Sequence, residues 1–114
     1  MPYINSKIST KITKEQETQL KTQLGQAISI IPGKSERWLM VGFEDEYSLY
    51  FGGDNSQPTA FIEVSVFGGE NPKAFSALTA KLCEIYNSVL GISPDRIYVK
   101  YEAVASWGWN GGNF

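Results

Sequence analysis

Residues Thr59–Tyr101 read TAFIEVSVFGGENPKAFSALTAKLCEIYNSVLGISPDRIYVKY, and their spacing decides the fold. Thr59 to Phe67 alternates, setting Ile62, Val64 and Val66 on one face, as a strand with a period of two requires. Gly68-Gly69 closes that strand. Asn71-Pro72 then opens a helix, with Asn as cap and Pro in the first turn. Phe75, Leu78, Leu82, Ile85 and Val89 recur at helical spacing, and Gly91 supplies the stop. Arg96-Ile97-Tyr98-Val99-Lys100-Tyr101 is a second strand. The stretch is a βαβ unit.

The first half repeats the plan. Pro2-Tyr3-Ile4-Asn5-Ser6-Lys7-Ile8 reads as a strand, and Thr13-Lys14-Glu15-Gln16 as a capping box. Leu20, Leu24, Ala27, Ile28 and Ile31 give the following helix one apolar face, which Pro32-Gly33 ends. A strand is predicted over Trp38–Phe43, an acidic turn at Glu44-Asp45-Glu46, and a short strand over Tyr47–Phe51 that stops at Gly52-Gly53. Gly33…Glu36-Arg37 and Gly91…Asp95-Arg96 punctuate the two halves alike. Both Glu36-Arg37 and Asp95-Arg96 read as exposed connections without chemistry. The expectation is therefore α+β: a duplicated βαβ unit, with a four-stranded mixed sheet and both helices on one face. Residues 1–114 form one domain, with pseudo-repeats at about 1–57 and 58–114. The uncovered face, drawn from strands rich in Trp, Tyr, Phe and Val, is expected to be apolar and buried in a closed oligomer.

The composition narrows the chemistry. A net charge of −2, with no dense Lys/Arg patch, argues against nucleic-acid binding. No apolar run is long enough to cross a bilayer, and no basic-then-apolar leader opens the chain, so a cytoplasmic origin is expected. The single cysteine, Cys83, excludes an intrachain disulfide and a cysteine zinc cluster, and its helical stripe makes it a core residue. There is no histidine, so the usual proton shuttle at neutral pH is missing.

Pro2 offers another base. Aminopeptidases normally remove a methionine that precedes so small a residue, leaving a secondary amine on a rigid ring. Beneath apolar side chains and near a cation, desolvation and repulsion both favour its neutral form. Taken alone, Pro2 is better explained by proline's tolerance of a strand's first position.

Met1-Pro2, Gly33-Lys34, Phe51-Gly52-Gly53, Ser93-Pro94-Asp95-Arg96-Ile97-Tyr98 and Gly108-Trp109-Asn110 decide between these readings. In that order and spacing the chain resembles, over essentially its whole length, the macrophage migration inhibitory factor family of the tautomerase superfamily. The resemblance implies a homotrimer around a central channel, with active sites between subunits and no cofactor or metal. It implies Pro2 as catalytic base after removal of Met1, and Lys34 as the cation for the substrate's acidic end. Trp38 matches an aromatic at the pocket mouth. Ser65 and Phe67 lie on the strand beneath the substrate, Phe67 replacing a smaller aliphatic residue. Tyr98 matches a tyrosine from the adjacent subunit, while Trp107, Trp109 and Phe114 match an apolar wall. Lys100 stands where active relatives often carry Asn and adds a second cation. Thr59 and Ile62 replace a cysteine pair found in some relatives, which removes thiol–disulfide chemistry.

Several of these residues have structural explanations too. Lys34 just past a helix end complements the helix dipole. Tyr98 on an alternating strand serves sheet packing, and Trp107-Gly108-Trp109 serves as an interface anchor.

The implied reaction is keto–enol tautomerisation of an aromatic α-keto acid such as phenylpyruvate. The alternative is a cytokine-like or immune-modulating binding protein whose pocket is vestigial or regulatory and whose partner is a protein receptor. Family members that leave the cell do so without a signal peptide. Decarboxylation or hydrolytic dehalogenation needs extra pocket arginines and an acidic residue, and neither is visible at the matched positions.

Overall fold

The computed structural model describes residues 1–114. Strands β1 (Pro2–Ile8), β2 (Met40–Glu44), β3 (Ala60–Phe67) and β4 (Ile97–Val104) form one sheet in the order β2-β1-β3-β4. β1 is parallel to β2 and β3 to β4, while β1 and β3 pair antiparallel at the centre. Helix α1 (Lys14–Ala27) joins the first parallel pair, and α2 (Pro72–Leu90) the second. The architecture is α+β, two βαβ units fused along β1 and β3. A small hairpin, β5 (Gly108–Trp109) and β6 (Gly112–Asn113), ends the chain.

Local chemistry sets the helix ends. The Gln16 N–H donates to Thr13 Oγ1 at 3.1 Å, and the Thr13 N–H donates to Gln16 Oε1 at 2.9 Å. Asn71 Oδ1 accepts from the Ala74 N–H at 3.1 Å. Gly91 ends α2 in the left-handed region at φ 71°, where a Cβ would be strained. Leu20 and Leu24 of α1 and Leu78, Leu82 and Ile85 of α2 are buried against Ile4, Ile8, Ile62, Val64 and Val66 of the sheet. Each such side chain contributes about 1.5–3 kcal/mol on burial, which fixes both helices on the same face. Cys83 is packed against this cluster, as its place on the stripe predicts. Ser6 and Tyr86 are buried in the core with their hydroxyls hydrogen-bonded to one another.

The structure departs from the sequence reading in four places. The strand expected from Trp38 starts at Met40, because Glu36–Trp38 closes a 3-10 turn with the Leu39 N–H on Glu36 O. Tyr47–Phe51 is not a strand: Phe51 and Asp54 form an isolated bridge around Gly52 and Gly53, whose φ angles are positive. The open sheet face is mixed rather than apolar, Phe61, Phe67 and Tyr98 sharing it with charged side chains. The valines of β3 point at the helices, and the other side carries Lys7 between Glu44 (3.8 Å) and Glu63 (2.6 Å), then Lys100 between Glu63 (3.3 Å) and Glu102 (3.1 Å). Arg96, expected to be exposed, is only 8% accessible. Its guanidinium donates to Thr59 Oγ1 (2.7 Å), Asp54 O (2.8 Å), Gln57 O (3.3 Å) and Phe51 O (3.4 Å), gathering the 51–59 loop.

Candidate active site

β1 begins at Pro2, whose missing N–H leaves no gap in the ladder; Pro2 lies opposite Val66 and is buried. The preceding carbonyl makes the bond instead: the Phe67 N–H donates to Met1 O at 3.0 Å. The carbonyl of Phe67 itself is held by a lysine. Lys34 follows the turn in which its N–H bonds Ile31 O at 3.1 Å, and its ammonium donates to Phe67 O at 2.8 Å. Phe67 thus brings Lys34 and the chain's amino terminus together.

That terminus opens on a cavity of about 760 Å³. Pro2, Ser65, Trp38, Trp107 and Trp109, all named by the family resemblance, line it together. Lys34, Phe67 and Phe114 join at its edge through contacts with one another and with the wall. Trp38 meets Trp109 edge to face at 5.1 Å, Trp109 lies parallel to Phe114 at 6.4 Å, and Phe114 leans on Phe67 at 5.7 Å. Trp38, Trp109 and Phe114 remain 39%, 52% and 58% exposed, so their faces are free to stack on a ligand ring.

Burial pushes the Met1 amine below the ordinary α-amino value, and the charge and hydrogen bond of Lys34 push it the same way. With Met1 attached, the Pro2 nitrogen is a tertiary amide and not a base. The amine that samples this environment belongs to Met1.

Tyr98 and Lys100 are not brought to this cavity within the chain. Ala103 is the β4 residue level with Val66, and hence with Pro2. Tyr98 sits at the far end of β4, roughly 16 Å away along the strand at about 3.3 Å per residue. Its ring leans on Phe51 at 5.1 Å. Lys100 is held by Glu63 and Glu102, and its pKa is raised, first by its hydrogen bond to Glu102.

Two features escaped the sequence reading. Arg37, taken as a plain connection, lines the cavity with its guanidinium carbon 5.2 Å from the Trp38 ring centroid. The hairpin that carries Trp109 turns through Asn110 (φ 52°) and Gly111 (φ 82°). Asn-Gly between short strands is a strong hairpin signal, and it stands in the sequence. Nothing comparable marks Arg37.

The family sequence model for macrophage migration inhibitory factor matches residues 1–114. The chain belongs to the macrophage migration inhibitory factor family. It is 32% identical over 100 residues to the macrophage migration inhibitory factor of Meriones unguiculatus, covering 83% of this chain and 84% of that protein. Among solved structures, MIF2 of Leishmania major is similar with a TM-score of 0.92 at 28% identity, covering 100% of this chain and 97% of that one. The Toxoplasma gondii factor follows with a TM-score of 0.90 at 25% identity, covering 98% of this chain and 99% of that one. The family's fold is the one described above, and no helix in the chain is long and apolar enough to cross a membrane.

Proposed function

We propose that this protein is a keto–enol tautomerase of aromatic α-keto acids, phenylpyruvate being the test substrate. Its base is the Pro2 nitrogen after removal of Met1. The observation that carries the reading is the amino terminus itself: the Met1 amine borders an aromatic cavity where burial and Lys34 both disfavour its charged form, and Pro2 lines the same cavity. A base whose pKa lies near the working pH is the most effective proton carrier.

The chemistry follows from the same contacts. Neutral Pro2 nitrogen takes a proton from the carbon next to the carbonyl. The C–H electron pair becomes the carbon–carbon double bond, and the prolinium proton passes to the carbonyl oxygen to give the enol. Met1 now occupies the ground on which the substrate's acid end would rest, with its carbonyl on the Phe67 N–H and its amine beside Lys34. Removing Met1 frees that N–H to join the Lys34 ammonium in holding a carboxylate. The ring then stacks against Trp38, Trp107, Trp109 and Phe114. In this reading three copies assemble, and β4 of a neighbour supplies Tyr98, and with it Lys100, to each site. Their distance from Pro2 within one chain is what such sharing requires.

The test is phenylpyruvate turnover by the processed protein, its N-terminus verified by mass spectrometry, against Pro2→Gly. A loss of about 10²–10⁴-fold is expected for removal of a positioned base. An unchanged rate eliminates Pro2. A second reading, a cytokine-like protein acting on a receptor, draws on the name of the relative described above. Processed protein that binds cinnamate in the cavity yet turns over no keto acid favours that reading.

A further inference from the structure

The cavity holds a cation for which the tautomerase reading has no task. Arg37 ends its side chain over Trp38 at the mouth, 5.2 Å from the ring centroid. No carboxylate of the chain forms an ion pair with it, and no acidic residue lines the cavity. The contrast with Arg96, whose guanidinium is bonded to the 51–59 loop, shows that Arg37 is not serving the fold in the same way. In a chain of net charge −2, positive charge stands without a carboxylate partner on two sides of the cavity, Lys34 beside the amino terminus and Arg37 at the mouth.

A guanidinium over an indole is attracted to the ring face, while its unpaired N–H groups remain available to grip a carboxylate in a two-pronged contact. A ligand with its acid end at Lys34 and its ring against Trp38 and Trp109 turns the far side of that ring toward the mouth. We infer that Arg37 is a specificity residue, and that the site favours aromatic 2-oxo acids bearing a second carboxylate on the far side of the ring. The orientation of the ligand, acid end at Lys34, rests on the tautomerase reading.

The inference is tested by binding, so that it can fail separately from that reading. Tryptophan fluorescence quenching of the processed protein gives its affinities for two unreactive ligands, cinnamate and 4-carboxycinnamate. The diacid is expected to bind about five- to tenfold more tightly, tenfold being about 1.4 kcal/mol, with the gap narrowing as salt is raised. Arg37→Gln closes the gap; Arg37→Lys, a point charge without the fork, keeps part of it. Equal affinities in the native protein, or a gap that survives Arg37→Gln, overturn the inference. Failure to turn over phenylpyruvate sinks the tautomerase reading instead, and the ligand comparison still decides the role of Arg37.

Discussion

The two ends of the sheet follow opposite plans. At the Tyr98 end, a buried guanidinium is bonded by one side-chain hydroxyl and three backbone carbonyls, and its carbon lies 5.4 Å from the Phe51 ring centroid. Phe51 in turn supports Tyr98. At the Pro2 end, four aromatic rings pack in a row, edge-on, parallel and tilted in turn, and stay partly exposed, while an amine and two cations border them and no Asp or Glu lines the cavity. Saturated hydrogen bonding fixes a side chain in place. An amine in apolar surroundings beside a like charge is kept reactive instead. In the proposed trimer, the fixed end of one copy meets the open end of the next.

The firmest way to break this contrast is to remove the hub. Arg96→Met leaves Thr59 and the carbonyls of Phe51, Asp54 and Gln57 without their donor, on a loop that has no strand of its own. A loss of about 2–4 kcal/mol is expected, at the lower end of the cost of breaking a buried ionic network because the Asp54 partner is half exposed. Urea unfolding with an unchanged slope measures it. A variant as stable as the native chain would mean that the loop is ordered by something else, and the contrast would lose one side.

The open end is probed through pH. Only a neutral amine acts as base, so kcat/KM for phenylpyruvate should rise with pH through a pKa below the usual α-amino value. At the Met1 amine desolvation is the first cause of the lowering and Lys34 contributes the others, and the Pro2 amine of the processed chain is expected to meet both. Lys34→Gln removes the latter and leaves the former. The rising limb then moves to higher pH, and kcat/KM at neutral pH falls by about tenfold or more. Should the limb stay in place while kcat/KM falls, Lys34 binds the acid end without tuning the base.

Much of this contrast could be read from the sequence, and the unread part has a common physical cause. Periodicity and capping are local, so Thr13, Asn71 and Gly91 announced both helices, and β1 and β3 came out within a residue. The short edge regions were misjudged because Tyr47–Phe51 is aromatic enough for a strand but has no partner to pair with. Arg96 and Arg37 looked alike, each an arginine between a helix and a strand. One is buried among carbonyls and the other lies over an indole, and only the tertiary arrangement of Thr59 and Trp38 decides which. The apolar face was misassigned by counting residues over whole strands: the alternation of β3 sends its valines one way and Glu63 the other. The cavity lining at Trp107 and Trp109 was available from the family resemblance, whereas Arg37 had no signal at all.

A smaller effect is expected where the ends meet. Tyr98→Phe deletes one hydroxyl on a ring already supported by Phe51, so the fold should be unaffected. If a neighbour's Tyr98 bonds the carbonyl oxygen, kcat/KM falls about fivefold, the value of one hydrogen bond of about 1 kcal/mol. An unchanged kcat/KM would separate the two ends functionally and remove the shared site. Lys100→Asn asks the same of the second residue, read as a change in KM.

The smallest effect belongs to the ion row between the ends. The Glu63 carboxyl is held below the usual carboxylate range, first by the Lys7 hydrogen bond and then, against the opposing effect of burial, by Lys100. A lowered pKa contributes stability above the unfolded value of about 4.3 and loses it as pH falls through the folded one. Both partners of the Lys7 pair are about a quarter exposed, at 26% and 25%, so solvent screening limits its contribution to less than about 1 kcal/mol. Glu63→Gln should therefore cost only that much at pH 7, and the difference should vanish toward pH 3 or in about 1 M salt. A deficit that persists in acid would belong to side-chain packing rather than charge. The size of this effect bears on assembly: a face striped with paired charges gains little from being covered by an apolar partner. In the proposed trimer the copies are then joined through strand edges and loops, which is where Tyr98 and the Pro2 cavity lie, and the charged face is left to water.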